Sequence, residues 1–420
     1  MSIKTGLVLA GGGARAAYQV GVLRAIANIL PKEMEQPFPI ITGTSAGAIN
    51  ALGLAGRPGA FRNRVRTLAA IWGSLASEDI YRTDALGVAR NAMRIGWSLL
   101  WSRTERRRAL ALLDNTPLRG LLNEVVSFDF VDTAIASGEL EAIAVTAMNY
   151  STGQSTTFYQ GQAHLTPWRR THRHSLPCQL GIDHLLASSA LPTLFPATPL
   201  GDDFYGDGAL RQTRPLSAAI HLGADRLLII GVSEQGGAFG GDQESAVAPT
   251  IPQVLGQLLN AVFLDSTETD LGSLKRINSL VEPLSSRQLA DAGLSHLRVI
   301  DSLTISPSRS LGALAREYIH ELPASTRWFL ERTGSIKKSG SGGALSYILF
   351  EQGYCQRLMA LGYEDAMAKS TEIRAFFGLG DDDTDSHRPS FKSHRRRDQQ
   401  VTAKFPFTLF KKIGSQRKKR

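Results

Sequence analysis

Three short stretches hold residues whose types and spacing could carry out acyl chemistry: Gly43-Thr44-Ser45-Ala46-Gly47, Gly11-Gly12-Gly13 with Arg15 beside it, and Gly206-Asp207-Gly208. A serine hydroxyl is a poor nucleophile until a base takes its proton and the backbone exposes it. G-x-S-x-G between a strand and a helix supplies the exposure, because small flanking residues permit a sharp turn and the following helix aims its positive end at developing negative charge. Here the pentapeptide follows Ile40-Ile41-Thr42 and precedes Ala46-Gly47-Ala48-Ile49, an apolar run and a helix-forming run. An ordinary turn serine needs no such context, so Ser45 is the candidate nucleophile.

A tetrahedral oxyanion must be held by donors fixed in advance. The run "GLVLAGGGARAAYQVGVL" offers the amides of Gly11, Gly12 and Gly13 at the opening of a helix, with the charge of Arg15 next to them as a candidate anion contact. A dinucleotide-binding turn begins the same way, but it calls for an acid at the end of the second strand, where this chain has Gly43-Thr44-Ser45. The candidate base is Asp207, flanked by glycines after Phe204-Tyr205. Taken alone, Asp-Gly reads first as a hairpin turn.

The elements that must position these residues are legible as periodic patterns. Leu7 to Ala10 reads as a buried strand, Ala16 to Leu30 as a mostly buried helix, Pro39 to Thr42 as the next strand and Ala46 to Leu54 as the next helix. Consecutive β-α units of this kind predict a mostly parallel central sheet covered on both faces, a three-layer α/β/α architecture. Further strands are predicted at Glu141–Met148, Ser155–Tyr159, Leu227–Val232 and Leu297–Thr304, and helices around Arg64–Ala76, Ile251–Leu280 and Ser346–Leu361. The pattern predicts one domain over 1–380, with the motif-bearing core at 5–216 and elaborations over 217–380, followed by a disordered basic tail at 381–420.

In order and spacing, Gly-Gly-Gly-x-Arg near the start, G-T-S-A-G in the second β-α unit, "ASSALPTLFP" at 187–196 and Asp207-Gly208-Ala209 resemble the patatin-like phospholipase family, in its bacterial form. The resemblance implies a Ser-Asp dyad, with Ser45 as nucleophile and Asp207 as the base bonded to its hydroxyl, and no histidine between them. It implies an oxyanion hole from the backbone of Gly11 to Gly13. It also implies hydrolysis of phospholipid or related acyl esters without metal or other cofactor. Ala16 departs from the family's glycine at that position, and a requirement there for positive φ would strain the loop. Two rivals stay open. One is a Ser-His-Asp esterase using His221, His296 or His320, which follow Asp207. The other is a non-catalytic lipid-binding or regulatory module. His164, His172, His174 and His184 lack the partner spacing of a metal site.

Composition bounds the partners. The net charge is +9, yet residues 386–420 hold twelve Lys or Arg against one acid, Asp398, so the preceding 385 residues carry −2. This tail, with Phe405, Phe407 and Phe410 among its charges, is a candidate contact for anionic membrane. The segment 88–108, with Trp97 and Trp101 on an apolar stripe and arginines beside it, is a second candidate. No nucleic-acid-binding fold accompanies the basic residues. No run reaches the roughly 18 apolar residues of a membrane span, the apolar opening is too short for a signal peptide, and Cys178 and Cys355 stand far apart. These features predict a cytoplasmic protein peripherally bound to membrane.

Overall fold

The computed structural model describes residues 3–82, 93, 111–234, 265–323, 327 and 345–380. The chain divides into two units, Met1–Gly378 and Leu379–Arg420, and the structure described here is that of the first. The basic tail at 386–420, the segment 88–108 apart from Met93, and the first half of the helix expected over 251–280 lie outside the described residues.

In chain order the described elements are β1 (Thr5–Leu9), a 3-10 turn (Gly13–Ala16) running into α1 (Ala17–Ile29), β2 (Ile40–Thr44), α2 (Ala46–Ala55), α3 (Phe61–Trp72) and α4 (Ser77–Ile80). Then follow α5 (Thr116–Val125), α6 (Phe128–Ala136), β3 (Ala142–Asn149), β4 (Ser155–Gly161), β5 (Arg169–Arg170), β6 (Arg173–Pro177) and α7 (Ile182–Ser188). The chain continues through β7 (Thr198–Leu200), β8 (Asp203–Asp207), α8 (Ser217–His221), β9 (Arg226–Ile230), α9 (Asp265–Val281), α10 (Ser286–Asp291) and β10 (Asp301–Ile305). It closes with α11 (Leu311–Glu317), α12 (Leu345–Ile348), α13 (Gln352–Ala368) and α14 (Ser370–Phe376).

All ten strands form one sheet, ordered β10-β9-β1-β2-β3-β4-β6-β5, with β8 added beside β3 and β7 beside β8. From β10 to β3 the pairing is parallel. Every residue of β1 and β2 is buried, which a strand needs when both faces of its sheet are covered. One layer is α1, packed chiefly on α13 and α3. The opposite layer joins Leu216, Ala219 and Leu222 around α8 with Leu274 of α9 over Val8, Ile40 and Ala144. The expected three-layer α/β/α fold with a mostly parallel sheet is the observed one.

Element boundaries differ from expectation where tertiary contacts intervene. The strand expected from Leu297 begins at Asp301, because Asn278 occupies both backbone groups of Ile300: its Nδ2 donates to Ile300 O (2.8 Å) and its Oδ1 accepts from Ile300 N (3.0 Å). The helix expected over Ser346–Leu361 is broken into α12 and α13. The break is fixed by Glu321, whose carboxylate accepts from the N–H groups of Gly353 (3.0 Å) and Tyr354 (3.3 Å) and so caps a new helix start. The extended residues between the two helices turn Phe350 toward Trp72, where the rings stack at 6.3 Å. The helix expected from Arg64 starts one turn earlier, at Phe61, directly after the Pro58-Gly59 turn, and stops at Gly73.

Candidate active site

Residues Thr44 to Gly47 form a strand-to-helix elbow with no spacer. Ser45 sits between β2 and α2 at φ 56°, ψ −132°, a region that costs a non-glycine residue about 1–3 kcal/mol and that persists only where the surroundings fix it. Gly47 is what allows the turn: a Cβ there would lie 2.3 Å from the carbonyl oxygen of Leu9, so the first turn of α2 can press against the end of β1 only without a side chain. The elbow is tied from below, since Ser45 N–H donates to Ser188 Oγ (2.8 Å) and Ser188 Oγ–H donates to Thr146 O (2.7 Å).

Strand β3 also places Asp207. Thr44 is in register with Thr146, and the next residue of β3, Ala147, is in register with Asp207 at the end of β8. Adjacent residues of one central strand therefore carry both halves of the candidate dyad. The Asp207-Gly208 pair is not a hairpin turn. The β7–β8 hairpin turns at Gly201-Asp202, while Asp207 caps a 3-10 turn through Oδ1, which accepts from Ala209 N (2.9 Å). The carboxylate is fully buried, and desolvation pushes it up to about 7 from 3.8, against the smaller lowering by the Ser45 hydroxyl and the Ala209 amide. The Ser45 hydroxyl is thus near enough to lower the carboxylate. The approach is looser than a formed hydrogen bond, because Oδ2 is buried without a partner of hydrogen-bond geometry among the described residues. Such bonds often tighten only when substrate binds.

The glycine loop lies beside the elbow. Gly13 adopts φ 53°, and a Cβ there would lie 2.2 Å from the carbonyl oxygen of Tyr347, so α12 is pressed directly onto the loop. Helical bonding in the segment from Gly13 begins with Arg15 N–H to Gly12 O (3.1 Å), leaving the amides of Gly12 and Gly13 ahead of the first turn. Ala16 has φ −66°, ordinary right-handed helix, so the alanine that replaces the expected glycine strains nothing. Ser45, Gly13, Trp72, Leu122, Phe195 and Phe350 all line one apolar cavity.

A family model described as Patatin-like phospholipase matches residues 7–220, a span that takes in the glycine loop, the elbow and Asp207. The chain belongs to the patatin-like phospholipase family. Among curated relatives, a "cGAMP-activated phospholipase" of Pseudomonas aeruginosa (strain BWHPSA011 / Pa011) is 29% identical over 216 residues, covering 51% of this chain and 55% of the relative. A protein of the same description from Vibrio cholerae serotype O1 is 27% identical over 224 residues, covering 51% of this chain and 56% of the relative. The chain spans about half the length of the curated relatives it matches. Among solved structures, "Human GIVD cytosolic phospholipase A2" aligns with a TM-score of 0.41 at 12% identity, covering 90% of this chain and 60% of that one.

Within this patatin-like core the structure adds residues that the motifs do not single out. Asn50 Nδ2 donates to Ala16 O (3.0 Å) and Gln19 Oε1 (2.9 Å), and its Oδ1 accepts from Trp72 Nε1 (2.7 Å). Gln19 Nε2 donates in turn to Ala10 O (2.7 Å). Gln19, Asn50 and Trp72 are all buried, so this chain of bonds locks the patatin-like glycine loop to α2 and to the cavity wall. Tyr150 lies over Gly206, and its phenol is raised by burial and then by the charge of Asp207. Arg15 is buried against α12, its Nε donating to Ser346 Oγ (2.8 Å) and its guanidinium 4.1 Å from the Tyr347 ring centroid. Among the described residues no histidine lines the cavity. His221 stacks on Trp168, and His320 is exposed beside Glu317 O.

Proposed function

We propose that the chain is a serine acyl hydrolase acting on phospholipid or a related acyl-ester lipid through a Ser45-Asp207 dyad. Ser45 Oγ attacks the acyl carbonyl carbon while its proton passes to Asp207, and the carbonyl electron pair becomes an oxyanion facing the amides of Gly12 and Gly13, with Gly11 completing the loop. Collapse of that adduct breaks the ester C–O bond. The leaving alkoxide takes the proton from Asp207, leaving an acyl-Ser45 ester. Water then attacks the acyl carbon, gives its proton to Asp207, and the fatty acid departs as the proton returns to Ser45.

The observation that carries this reading is the register of β3, whose adjacent residues Thr146 and Ala147 pair with Thr44, just before the strained elbow at Ser45, and with the buried Asp207. The raised Asp207 supports its role as a base, since a group near 7 can both accept and return a proton at neutral pH. The apolar cavity that Ser45 lines supports an acyl chain as the group bound there. Recruitment to an anionic surface is assigned to residues 386–420 and 88–108, and activation by a cyclic dinucleotide is taken over from what the relatives are named for.

The test is lipid mass spectrometry after the protein is incubated with mixed phospholipid vesicles, with and without cGAMP. Release of free fatty acid by the wild type and none by Ser45→Ala is the expected outcome. Equal release by both would end the reading.

A further inference from the structure

A second set of charges, away from the elbow, is arranged at a cost that nothing in hydrolysis explains. In the β5–β6 hairpin Arg170 stands directly opposite Arg173, and Arg169 opposite His174. Like charges on facing residues of an antiparallel pair repel and destabilise it. Arg214 adds a third guanidinium: Arg173 is pushed down by its own burial, raised among charges first by Asp270, and lowered by Arg214 and then Arg170. The acid that faces this group is Asp270, on α9. It is shared among the bridge to Arg214 (3.2 Å), the Leu216 amide (3.0 Å) and the field of Arg173, and burial raises its pKa. His221 is driven down to about 4 by burial and by Arg170 and Arg173, so it adds no positive charge at neutral pH. Arg173 Nε is buried with no hydrogen-bond partner among the described residues.

The hairpin is held rather than loose. Ser175 N donates to Trp168 O (2.9 Å), Trp168 N donates to Ser175 Oγ (2.9 Å), and Ser155 N donates to His172 O (2.9 Å). Trp168 stacks with His221 at 4.9 Å and with Tyr159 at 5.6 Å, which fixes the base of the hairpin. Neighbouring guanidiniums that share one carboxylate are what a tetrahedral oxyanion satisfies.

We propose that Arg170, Arg173 and Arg214 form a binding site for a phosphate-class anion at the edge of the sheet, on the same end as Ser45. Strand register gives the location: Arg173 is level with Ser155, Ser155 with Met148, and Met148 with Gly206 beside Asp207. Three strand spacings make the separation from Gly206 about 14 Å. Arg173 is level with Met148 and Gly206, and Asp207 with Ala147, so the two side chains leave opposite faces of the sheet and a phosphate at Arg173 is not that of the lipid being cleaved. It comes from the headgroup of a neighbouring lipid or from a free phosphate compound. The site is independent of hydrolysis, and Ser45→Ala should bind the anion as the wild type does.

The test uses the full chain and inorganic phosphate, following the melting temperature against chloride at matched ionic strength. Phosphate should raise it saturably. Arg173→Gln with Arg214→Gln should weaken the apparent affinity at least tenfold, whereas Arg119→Gln, which removes a positive charge at the surface pair with Asp183, should leave it unchanged. Asp270→Asn removes the competing acid and should tighten phosphate binding several-fold, a gain that folding defects cannot imitate. Co-sedimentation with phosphatidylcholine vesicles, with and without phosphatidylglycerol, separates the sources. If the anion is a headgroup, the double variant loses its preference for the anionic vesicles and phosphate competes with them. If it is a free phosphate, vesicle binding is the same in all chains. Absence of a saturable phosphate effect, equal weakening by Arg119→Gln and the double variant, or no tightening in Asp270→Asn would each overturn the site.

Discussion

The elbow at Ser45 and the hairpin at Arg170 to Arg173 lie on one end of one sheet and hold energetically unfavourable features in opposite ways. At the elbow the costs are a positive φ and a carboxylate withdrawn from water, and both are fixed inside the protein by buried hydrogen bonds. At the hairpin the cost is facing like charges, left where β5 is exposed and ions can reach them. Geometry decides the first and solvent the second. The elbow should therefore respond to proton activity and to deletion of single atoms, while the hairpin should respond to salt and to anions.

The comparison is broken most easily at the dyad. Ser45→Ala and Asp207→Asn should each lower kcat/KM for ester hydrolysis by at least about a thousandfold, and the double variant should be little worse than either, because the two groups act as one unit. Strictly additive losses would show that they act separately. Next in size is Asn50→Ala, which strips Trp72 Nε1 and Gln19 Oε1 of a buried partner and frees the glycine loop from α2. It should cost about 2–3 kcal/mol of stability by denaturant unfolding and about a hundredfold in kcat with a much smaller change in KM.

A third difference is in pH. Because burial holds Asp207 at about 7 rather than 3.8, the folded protein keeps that proton between these values after the unfolded chain has released it. The contribution of this group to stability is therefore full below pH 3.8 and is lost as the pH rises to about 7. Asp207→Asn removes the cost of ionising there. Its stability relative to wild type should be higher at pH 8 than at pH 4, by up to about 4 kcal/mol. The smallest effect belongs to the hairpin. Arg170→Gln relieves one repulsion and should raise the melting temperature slightly at low salt, an advantage that disappears at 1 M salt, where charges are screened beyond about 3 Å.

The two regions were also unequally legible in the sequence. The β1-α1-β2-α2 start could be read from apolar runs and glycines because its local pattern and its tertiary role coincide, and Ser45 was found by its place between a strand and a helix. Asp207 was ambiguous by itself: its position depends on pairing with Ala147, 60 residues earlier, which no local pattern encodes. Ser188 stood inside a recognised motif, yet its bond to the Ser45 amide is a tertiary fact. Asn50 and Gln19 are polar side chains in helices otherwise fit for burial, and that mismatch is the signal the sequence offers for them. The break at Phe350 depends on a carboxylate about thirty residues away. The hairpin "WRRTHRH" carries no apolar alternation, because β5 has only two residues and β6 opens on Arg173 and His174, so no period shows there.

The central claim, that Ser45 is a nucleophile made reactive by Asp207, is tested most directly by fluorophosphonate labelling of the folded protein, with the adduct located by peptide mapping. The account predicts one adduct, on Ser45, forming at a rate that rises as the pH passes about 7 and falling to background in Asp207→Asn. An adduct on another residue, no adduct on the folded wild type, or labelling of Asp207→Asn at the wild-type rate would contradict it.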